Sequence, residues 1–302
     1  MKIKTFTKSI AILTPYFGHW PEWFDLYLES CRHNPGIDWV FISDCAAPNN
    51  APSNARFIHT SFDDYKNLVS EKLGIKFTPS SAYKLCDLKP AYGYIHQELL
   101  SSYDFWGFGD IDVIYGDIRH FYTDELLVKY NSLSSHWDRV SGHLFLMKNT
   151  SIFREAFKKI PAWQQLLEDE KHHGIDESKF SKVFLRHKKH PAWLRKIYGL
   201  TDPLQRHAYF AEQYSTILSP QPWFDGQYQH PEEWIWKDGQ LHNASDNREF
   251  MYLHFMNWKS NVWLDKSRGE AAAWEGLSRL NHVPTGAAGK GFSINRTGFH
   301  SL

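Results

Sequence analysis

Short apolar runs alternate with stretches of helical periodicity along the first 115 residues of the chain. Each run is followed by polar or turn-forming residues, which is typical of buried strands. The apolar runs predict strands at 10–13, 39–42, 57–59 and 103–109. Apolar spacings of three and four residues predict helices at 21–31, 61–74 and 80–102. Because strands and helices alternate, we expect an open, mainly parallel sheet flanked by helices.

The pattern is less regular in the rest of the chain. It predicts a strand at 140–148 and helices at 151–159 and 177–187. Residues 281–302 are rich in glycine and weakly patterned, which indicates a flexible tail. We therefore predict a single α/β domain over 1–280, with a regular half at 1–120 and an irregular half at 121–280.

The charge of the chain argues against nucleic acid as a partner. Lys and Arg number 34, and so do Asp and Glu, giving a formal net charge of +0, whereas a general nucleic-acid binder is usually basic. The cysteines at 31, 45 and 86 are odd in number and form no C-x-x-C pair, so we expect a reducing compartment. No stretch approaches the roughly 20 apolar residues of a membrane helix, and we expect a cytoplasmic protein.

Aromatic residues make up 16% of the chain and include 13 Trp. A flat apolar face with one donor suits a packed core, and it equally suits a stacking surface for sugar rings or bases. We assign most of the Trp residues to the core. Composition by itself leaves both interpretations open.

The sequence Asp110-Ile111-Asp112 directly follows the predicted strand at 103–109. Alternate carboxylates on an extended segment project to the same side and can hold a divalent cation against a diphosphate. Open α/β sheets bind ligands at the carboxyl ends of their strands. A short D-x-D motif is common, and a solvated turn is the alternative interpretation.

Two further groups have the chemistry to assist such a site. Asp87 lies between Lys84 and Lys89 near a predicted helix start, where it could accept from a ribose hydroxyl while a lysine meets a phosphate. His254 could complete a metal site and Lys259 could neutralise a diphosphate. The alternatives are an ordinary helix turn with surface lysines and a histidine in a half-buried strand.

Residues 80–118, which contain KLCDLKPAYGY and YDFWGFGDID, resemble the donor-site segment of GT-A glycosyltransferases. In that superfamily a helix bearing an Asp and a basic residue precedes a hydrophobic strand that ends in D-x-D. The opening, IAILTPYFG followed by FISD, is similar to the first two strands of the same fold. More closely, the chain resembles little-characterised bacterial glycosyltransferase-like proteins found with polysaccharide biosynthesis. The resemblance covers the first half well and the second half thinly.

The resemblance implies a GT-A (Rossmann-like) fold with a nucleotide-sugar-binding half at 1–120 and an acceptor-side half at 121–280. It also implies a UDP-sugar donor, a divalent metal (Mn²⁺ or Mg²⁺), and a glycan or lipid-linked glycan acceptor of O-antigen, capsule or lipopolysaccharide synthesis. The positions that match the nucleotide-sugar-binding residues are Thr14, Pro15, Tyr16, Asp44, Asp87, Lys89, Asp110 and Lys259. The positions that match metal ligands are Asp110, Asp112 and His254. Lys259 departs from the late His…Lys element of retaining families, which has a Gly between the two residues and Pro-Trp after the Lys.

The predicted catalytic carboxylates lie in the second half. Asp176 and Glu177 follow His172-His173-Gly174, where a general base on the acceptor hydroxyl would serve an inverting transferase, although a helix cap is the common alternative. Asp225 is a second candidate base. The Ser141-Gly142-His143 segment suits contacts with donor or acceptor sugar, and its alternative is a tight turn into a strand.

Two other functions compete with sugar transfer. A nucleotidyltransferase would use the same carboxylate pair but usually carries a Gly-rich basic loop after its first strand, and TPYFGHWPEW contains no Lys or Arg. A non-catalytic carbohydrate-binding protein would not need the Asp pair. The basic, aromatic segment at 187–199 could make a peripheral contact with an anionic membrane, or form a solvated helix with ordinary aromatic packing.

Overall fold

The computed structural model of the chain describes residues 6–185, 190–219, 221–260, 272–275 and 277–302. The strands are β1 (Ile10–Pro15), β2 (Asp38–Ser43), β3 (Ala55–His59), β4 (Phe105–Gly109), β5 (Val113–Tyr115), β6 (Ser132–Ser134), β7 (Leu144–Lys148), β8 (Ala208–Phe210), β9 (Glu233–Lys237), β10 (Gln240–Asn243), β11 (Glu249–Phe250), β12 (Tyr252–His254), β13 (Phe292–Asn295) and β14 (Gly298–Ser301). The α-helices are α1 (Phe24–Arg32), α2 (Phe62–Leu73), α3 (Leu85–Leu88), α4 (Tyr92–Ile95), α5 (Ile118–Phe121), α6 (Asp124–Lys129), α7 (Ser151–Arg154), α8 (Trp163–Glu168), α9 (Ser181–Phe184), α10 (Ala192–Thr201) and α11 (Met256–Lys259).

The described chain divides into two compact units that are interleaved in sequence, whereas the sequence predicts one domain with its halves divided at residue 120. The first unit takes the residues up to His19 together with Gly36–Asp110 and Thr123–Glu212. The second takes Trp20–Pro35, Ile111–Tyr122 and the chain from Gln213 onward. Each unit therefore combines stretches that are distant in sequence. The single domain over 1–280 stays a prediction.

A seven-stranded sheet forms the centre of the first unit, in the order β3-β2-β1-β4-β7-β6-β8. Strands β1 to β4 are mutually parallel, and β7 runs antiparallel to its neighbours β4 and β6. All six residues of β1 and all five of β4 are buried, as expected for strands covered on both faces. This arrangement confirms the predicted α/β class with a mainly parallel sheet.

Helix α2 matches the helix predicted at 61–74. The Ser61 side chain accepts a hydrogen bond from the backbone N–H of Asp64 at the start of the helix, and Gly74 ends it in the left-handed conformation at φ 65°. These are the residue types that cap helices most effectively at each end. Local sequence is therefore sufficient to determine both boundaries.

The segment predicted as one helix at 80–102 is a series of short helical turns instead. Between α3 and α4 lies a 3₁₀ turn, Lys89–Ala91, that contains Pro90, whose ring removes one backbone donor from the helical ladder. Gly93 then packs so close to the indole of Trp106 that an added Cβ would lie 2.3 Å from the ring. Contact with the sheet therefore determines the path of this segment.

The helices predicted at 151–159 and 177–187 are also short and interrupted. The first is α7 followed by a 3₁₀ turn, Ala156–Lys159, and the second is a π-helical turn, Ile175–Lys179, followed by α9. Residues 186–189 lie outside the described residues. The π-helical turn contains two of the three predicted catalytic carboxylates, Asp176 and Glu177.

The second unit contains a five-stranded antiparallel sheet, β11-β10-β9-β13-β14, and a separate pair, β5-β12. Strands β13 and β14 lie within residues 281–302, for which the sequence predicts a flexible tail. The side chains of Phe292, Ile294 and Phe299 are buried there, because alternate residues of the strands face the interior. Among the described residues of the chain, no helix is long and apolar enough to span a membrane.

Candidate functional site

Two neighbouring strands of the first unit end at predicted site residues. Leu13 of β1 is paired with Phe108 of β4, so that Thr14 and Asp110 follow at the same edge of the sheet. Strand β2 lies on one side of β1 and β4 lies on the other. The order of strands in the sheet therefore changes direction at β1, and such topological switch points form ligand-binding crevices. The Thr14 side chain is buried, and no described residue offers its Oγ1 a hydrogen bond. A buried hydroxyl in this condition is favourable only if a ligand or water satisfies it.

Lys89 connects three predicted site residues at this edge. Its Nζ donates to Asp110 Oδ1 at 2.5 Å, to the Gly142 carbonyl at 3.0 Å and to Asp176 Oδ2 at 3.3 Å. The Lys89 side chain is 6% exposed, while that of Asp110 is 28% exposed. We name Lys89, Asp110, Gly142, Asp176 and Glu177 the Lys89 cluster. A buried ammonium thus orients two carboxylates, one of which reaches the protein surface.

Burial and charge act in opposite directions on the ionisable groups of this cluster. Burial lowers the pKa of Lys89, but the carboxylates of Asp110 and Asp176 outweigh it and hold the pKa well above its ordinary value. Burial raises the pKa of Asp176 to about 6, although the ammonium of Lys89 opposes the shift. Lys89 therefore stays charged, and Asp176 can exchange a proton near neutral pH.

Gly142 allows the backbone to lie directly against the two carboxylates. A Cβ at this position would meet Asp176 Oδ2 at 2.9 Å and Glu177 Oε1 at 3.0 Å. The Gly142 N–H donates to Glu177 Oε1 at 3.1 Å. The tight turn expected from the sequence thus has a specific packing reason.

Lys84 and Asp87 form a second, fully buried ion pair. Lys84 Nζ lies 3.0 Å from Asp87 Oδ2 and also donates to the carbonyls of Leu166 and Lys171, at 2.7 and 2.6 Å. The side chains of Lys84 and Asp87 are 1% and 0% exposed. Each ammonium hydrogen of Lys84 thus has an acceptor inside the protein.

Asp87 holds the loop that leads into the π-helical turn. Its two oxygens accept the backbone N–H groups of His173 and Ile175, each at 2.8 Å, and Oδ1 lies 3.2 Å from His172 Nδ1. Burial raises the pKa of Asp87, but hydrogen bonds from His172, from this backbone and from Lys84 hold it well below its ordinary value. The pair thus joins the helical segment at 84–88 to this loop. Contacts of Lys84 and Asp87 with a ligand stay a prediction.

The end of β2 forms a cavity of about 300 Å³, lined by Ser43, Asp44, Cys45, Ala46, Ala47, Phe57, Ile58 and His59. Asp44 Oδ1 accepts the backbone N–H of Gly18 at 2.9 Å, which connects the loop after β2 to the loop after β1. In that first loop Pro15 ends β1, and the Tyr16 hydroxyl donates to the His19 carbonyl at 2.8 Å. The structure thus brings the ends of the first two strands together beside an open cavity.

Asp112 belongs to the second unit, where β5 pairs with β12. His254 pairs with Val113 in this ladder, and its Nε2 lies 3.6 Å from Asp112 Oδ1. Lys259 Nζ contacts the other oxygen, Asp112 Oδ2, at 2.6 Å. Thr216 Oγ1 lies 3.3 Å from His254 Nδ1 and fixes the orientation of the ring. The three residues that the D-x-D and His…Lys patterns predict in this unit therefore converge.

The ligand atoms that Asp112 and His254 offer suit a divalent cation. A carboxylate oxygen and an imidazole nitrogen are ligands that Mn²⁺ and similar ions accept. Their 3.6 Å separation is less than twice a metal–ligand distance of about 2.1 Å, so both atoms can bind one ion. Both residues are buried, and the ammonium of Lys259 balances the charge of Asp112 in this structure.

Sequence reasoning missed a buried histidine network next to the predicted Ser141-Gly142-His143 segment. His136 Nδ1 lies 3.0 Å from Glu212 Oε2, its Nε2 lies 3.3 Å from an Arg139 nitrogen, and its ring packs edge-on against that of His143 at 5.1 Å. Glu212 is 76 residues from His136, and no spacing pattern relates them. Ser141 is buried, and its backbone N–H donates to Ser134 Oγ at the end of β6 at 3.1 Å.

Asp225 differs from the other two predicted bases because its side chain is exposed and makes a turn contact. It is exposed in a turn of the second unit, where its Oδ1 accepts the backbone N–H of Gln227 at 2.8 Å. This is an ordinary turn contact for an aspartate. A catalytic role for Asp225 stays a prediction.

Solved structures with some similarity to the chain include several glycosyltransferases. The galactosyltransferase LgtC, in complex with donor and acceptor sugar analogues, is 11% identical at a TM-score of 0.37, covering 68% of this chain and 75% of that chain. The glycosyltransferase GlyE of Streptococcus pneumoniae TIGR4 is 12% identical at 0.32, covering 70% and 46%. Mouse xyloside xylosyltransferase 1 is 13% identical at 0.31, covering 68% and 94%.

No curated protein matches the chain. One family model matches residues 12–274, which include the Lys89 cluster, the Asp112–His254 pair and all but the first two residues of the seven-stranded sheet. The match covers far more than half of the 302 residues. This protein therefore belongs to that family, which is described as a family of unknown function (DUF6625).

Proposed function

We propose that this protein is a metal-dependent glycosyltransferase of the GT-A type, which transfers a sugar from a nucleotide-sugar to a glycan. The observation that carries the proposal is the Lys89 cluster at the carboxyl end of β4. There a buried lysine from the helical segment before the strand binds the first carboxylate of the D-x-D motif at 2.5 Å. The order of elements is the one that the sequence resemblance implies.

The ends of β1 and β2 are our proposed nucleotide site. The buried hydroxyl of Thr14 can donate and accept hydrogen bonds, and the exposed carboxylate of Asp44 can accept them, so both suit contacts with a ribose or a base. The adjoining cavity of about 300 Å³ lies at the small end of the usual range for ligand pockets. We expect UDP as the nucleotide, on the basis of the sequence resemblance.

Asp112 and His254 are our proposed metal ligands. Asp110, two positions before Asp112 along the chain, is the other carboxylate of the motif. A bound divalent cation offsets the charge that grows on a departing diphosphate. Lys259 contacts Asp112 at 2.6 Å, and its ammonium is suited to neutralise a phosphate. We expect Mn²⁺ or Mg²⁺.

Asp176 is the side chain that we propose for handling the proton of the acceptor. A general base works best when its pKa lies near the working pH, and the pKa of Asp176 is raised to about 6 by burial. Glu177, held by the Gly142 N–H at 3.1 Å, is its neighbour on the same turn. This role applies if the reaction inverts the anomeric configuration.

The acceptor that we propose is a glycan or lipid-linked glycan of a bacterial surface polysaccharide, modified at the cytoplasmic side. The proposal rests on the resemblance of the first half of the chain to proteins found with polysaccharide biosynthesis. A nucleotidyltransferase is less well supported, because the loop after β1 contains no Lys or Arg for a triphosphate.

Thermal unfolding of the purified protein tests donor and metal together. We expect one family of nucleotide-sugars to raise the melting temperature with Mn²⁺ and to lose most of this effect with EDTA, because a ligand that binds only the folded state stabilises it by mass action. At about a hundredfold excess over Kd the gain is about 2.7 kcal/mol. The panel contains UDP-, GDP-, CMP- and ADP-sugars.

Substitutions assign the effect to the D-x-D motif. Asp110→Asn and Asp112→Asn should each abolish the metal-dependent shift, whereas Asp63→Asn, an exposed carboxylate of α2 with 85% side-chain exposure, should leave it intact. Formation of free nucleotide from the donor gives a second readout. A folded protein that responds to no nucleotide-sugar would refute the proposal.

A further inference from the structure

Helix α10 presents apolar side chains to solvent. Trp193, Ile197 and Leu200 are 66%, 51% and 62% exposed. They are separated by four and then three residues, so at 100° per residue they share one face within an arc of about 60°. Leu194, on another side of the helix, is less exposed. The helix thus has an exposed apolar stripe, which we define as Trp193, Ile197 and Leu200.

This exposure is the reverse of the usual packing of an amphipathic helix. A helix on the surface of a globular protein normally turns its apolar stripe to the core, as α2 does by burying Tyr65, Val69 and Leu73. A single exposed apolar residue is common, but a contiguous stripe usually marks an interaction surface. The solvated helix with ordinary aromatic packing, one of the two interpretations left open by the sequence, does not account for Trp193.

The sequence that contains the stripe is strongly basic. Residues 181–201 contain no Asp or Glu, and their basic residues are Lys182, Arg186, Lys188, Lys189, Arg195 and Lys196. Lys182 and Lys196 are exposed. The first acidic residue after the run, Asp202, already has a lysine partner, since Lys159 Nζ lies 3.8 Å from its Oδ1. The sequence that leads into and contains the stripe therefore carries a strong positive charge, which suits a negatively charged partner.

We propose that α10, through its exposed apolar stripe and the exposed Lys196, binds the surface of an anionic lipid bilayer. Trp at one end of an apolar stripe flanked by Lys and Arg is the composition of helices that lie in the membrane interface. A second copy of the chain fits less well, because three side chains offer far less than the about 800 Å² per partner of a stable protein interface. Two copies of the same basic sequence would also repel each other. The proposal does not depend on donor binding.

Vesicle sedimentation tests the proposal with the intact protein. The vesicles are phosphatidylcholine alone and phosphatidylcholine with about one third phosphatidylglycerol. We expect binding to the anionic vesicles only, weakening as salt rises from about 0.05 to 0.5 M. Lys188→Gln/Lys189→Gln/Lys196→Gln should weaken binding, by about fivefold for each charge removed. Trp193→Ser/Ile197→Ser/Leu200→Ser should reduce binding at least tenfold.

A matched variant controls for the loss of apolar surface in general. Val128 in α6 and Tyr228 are 71% and 56% exposed, and Val128→Ser/Tyr228→Ser should bind vesicles like the unaltered protein. The triple-serine variant should keep its melting temperature because its substitutions are at exposed positions. Failure to bind anionic vesicles, equal binding to neutral ones, or a dimer in light scattering that the triple-serine variant abolishes would each overturn the proposal.

Discussion

Gly142 shows how one missing side chain shapes the candidate site. An added Cβ would lie 2.9 Å from Asp176 Oδ2 and 3.0 Å from Glu177 Oε1, distances that force both carboxylates to move. For Gly142→Ala we expect a loss of about 1 kcal/mol in the free energy of unfolding and at least about a tenfold fall in donor turnover, because catalytic groups tolerate little displacement. Urea unfolding and release of nucleotide measure the two effects.

The matched control for this substitution is Gly199→Ala. No atom of the part of the chain that the structure describes lies within 4 Å of a Cβ at Gly199. Ala in a helix is up to about 1 kcal/mol more favourable than Gly. We expect this variant to be as stable as the original protein or more so, with unchanged turnover. Equal turnover in Gly142→Ala and Gly199→Ala would show that the contact of Gly142 with the carboxylates has no functional role.

His96 makes the free energy of unfolding depend on pH. This contribution can be measured separately from the pH dependence that the carboxylates cause. Burial lowers the pKa of His96 to about 4, and its Nε2 lies 3.0 Å from the Tyr65 hydroxyl. Below pH 6.5 the unfolded chain takes up a proton that the folded protein excludes, so stability is complete above pH 6.5 and is lost towards pH 4. The loss amounts to about 3 kcal/mol.

His96→Gln tests this dependence because Gln keeps a hydrogen-bonding group for Tyr65 and does not titrate. Urea unfolding of both proteins at a series of pH values between 7.5 and 4 gives the comparison. We expect the difference in unfolding free energy between the unaltered protein and the variant to shrink as pH falls. A constant difference across this range would contradict a neutral, buried His96.

At the scale of elements, the Lys84–Asp87 pair anchors one segment to another. Two backbone N–H groups of the loop at 173–175 donate to Asp87, and this loop leads into the turn with Asp176 and Glu177. Removing one charge leaves the other buried and unpaired, which costs about 3–5 kcal/mol. We expect Asp87→Asn to destabilise the protein by this amount, and Lys84→Met/Asp87→Asn to recover part of the loss.

An exposed pair of the same spacing provides the comparison for this prediction. Lys66 and Asp63 are three residues apart, as Lys84 and Asp87 are, with a 2.7 Å contact and an Asp side chain that is 85% exposed. Asp63→Asn should change the free energy of unfolding by less than about 1 kcal/mol, because water screens exposed pairs. Equal costs for the two substitutions in urea unfolding would argue against the anchoring role.

The elements also differ in how well local sequence predicts them. Helix α2 has a cap residue at each end, Ser61 and Gly74, so the local sequence predicts both of its boundaries. The segment from Ala82 to Leu100 carries apolar residues at helical spacing, yet it is broken where Pro90 removes a donor and where Gly93 meets Trp106. The second cause is a tertiary contact, which the spacing of apolar residues along the chain does not predict.

At the scale of the whole molecule, the chain passes between its two units within the D-x-D motif. Asp110 ends one stretch of the first unit, and Asp112 belongs to the second. Each carboxylate has a lysine partner in its own unit, Lys89 for Asp110 and Lys259 for Asp112. A motif of three residues thus contributes one carboxylate to each unit.

The sequence by itself determined the parallel strands of the large sheet, the capped helix α2 and the position of Asp110 directly after a buried strand. These features follow from apolar periodicity and cap residues, whose interactions are local. Tertiary structure decided that Lys89 contacts Asp176, 87 residues away, and that His136 contacts Glu212. It also placed β13 and β14 in a sheet and left the apolar stripe of α10 in solvent. Such partners are selected by packing between distant segments, and no spacing along the chain encodes them.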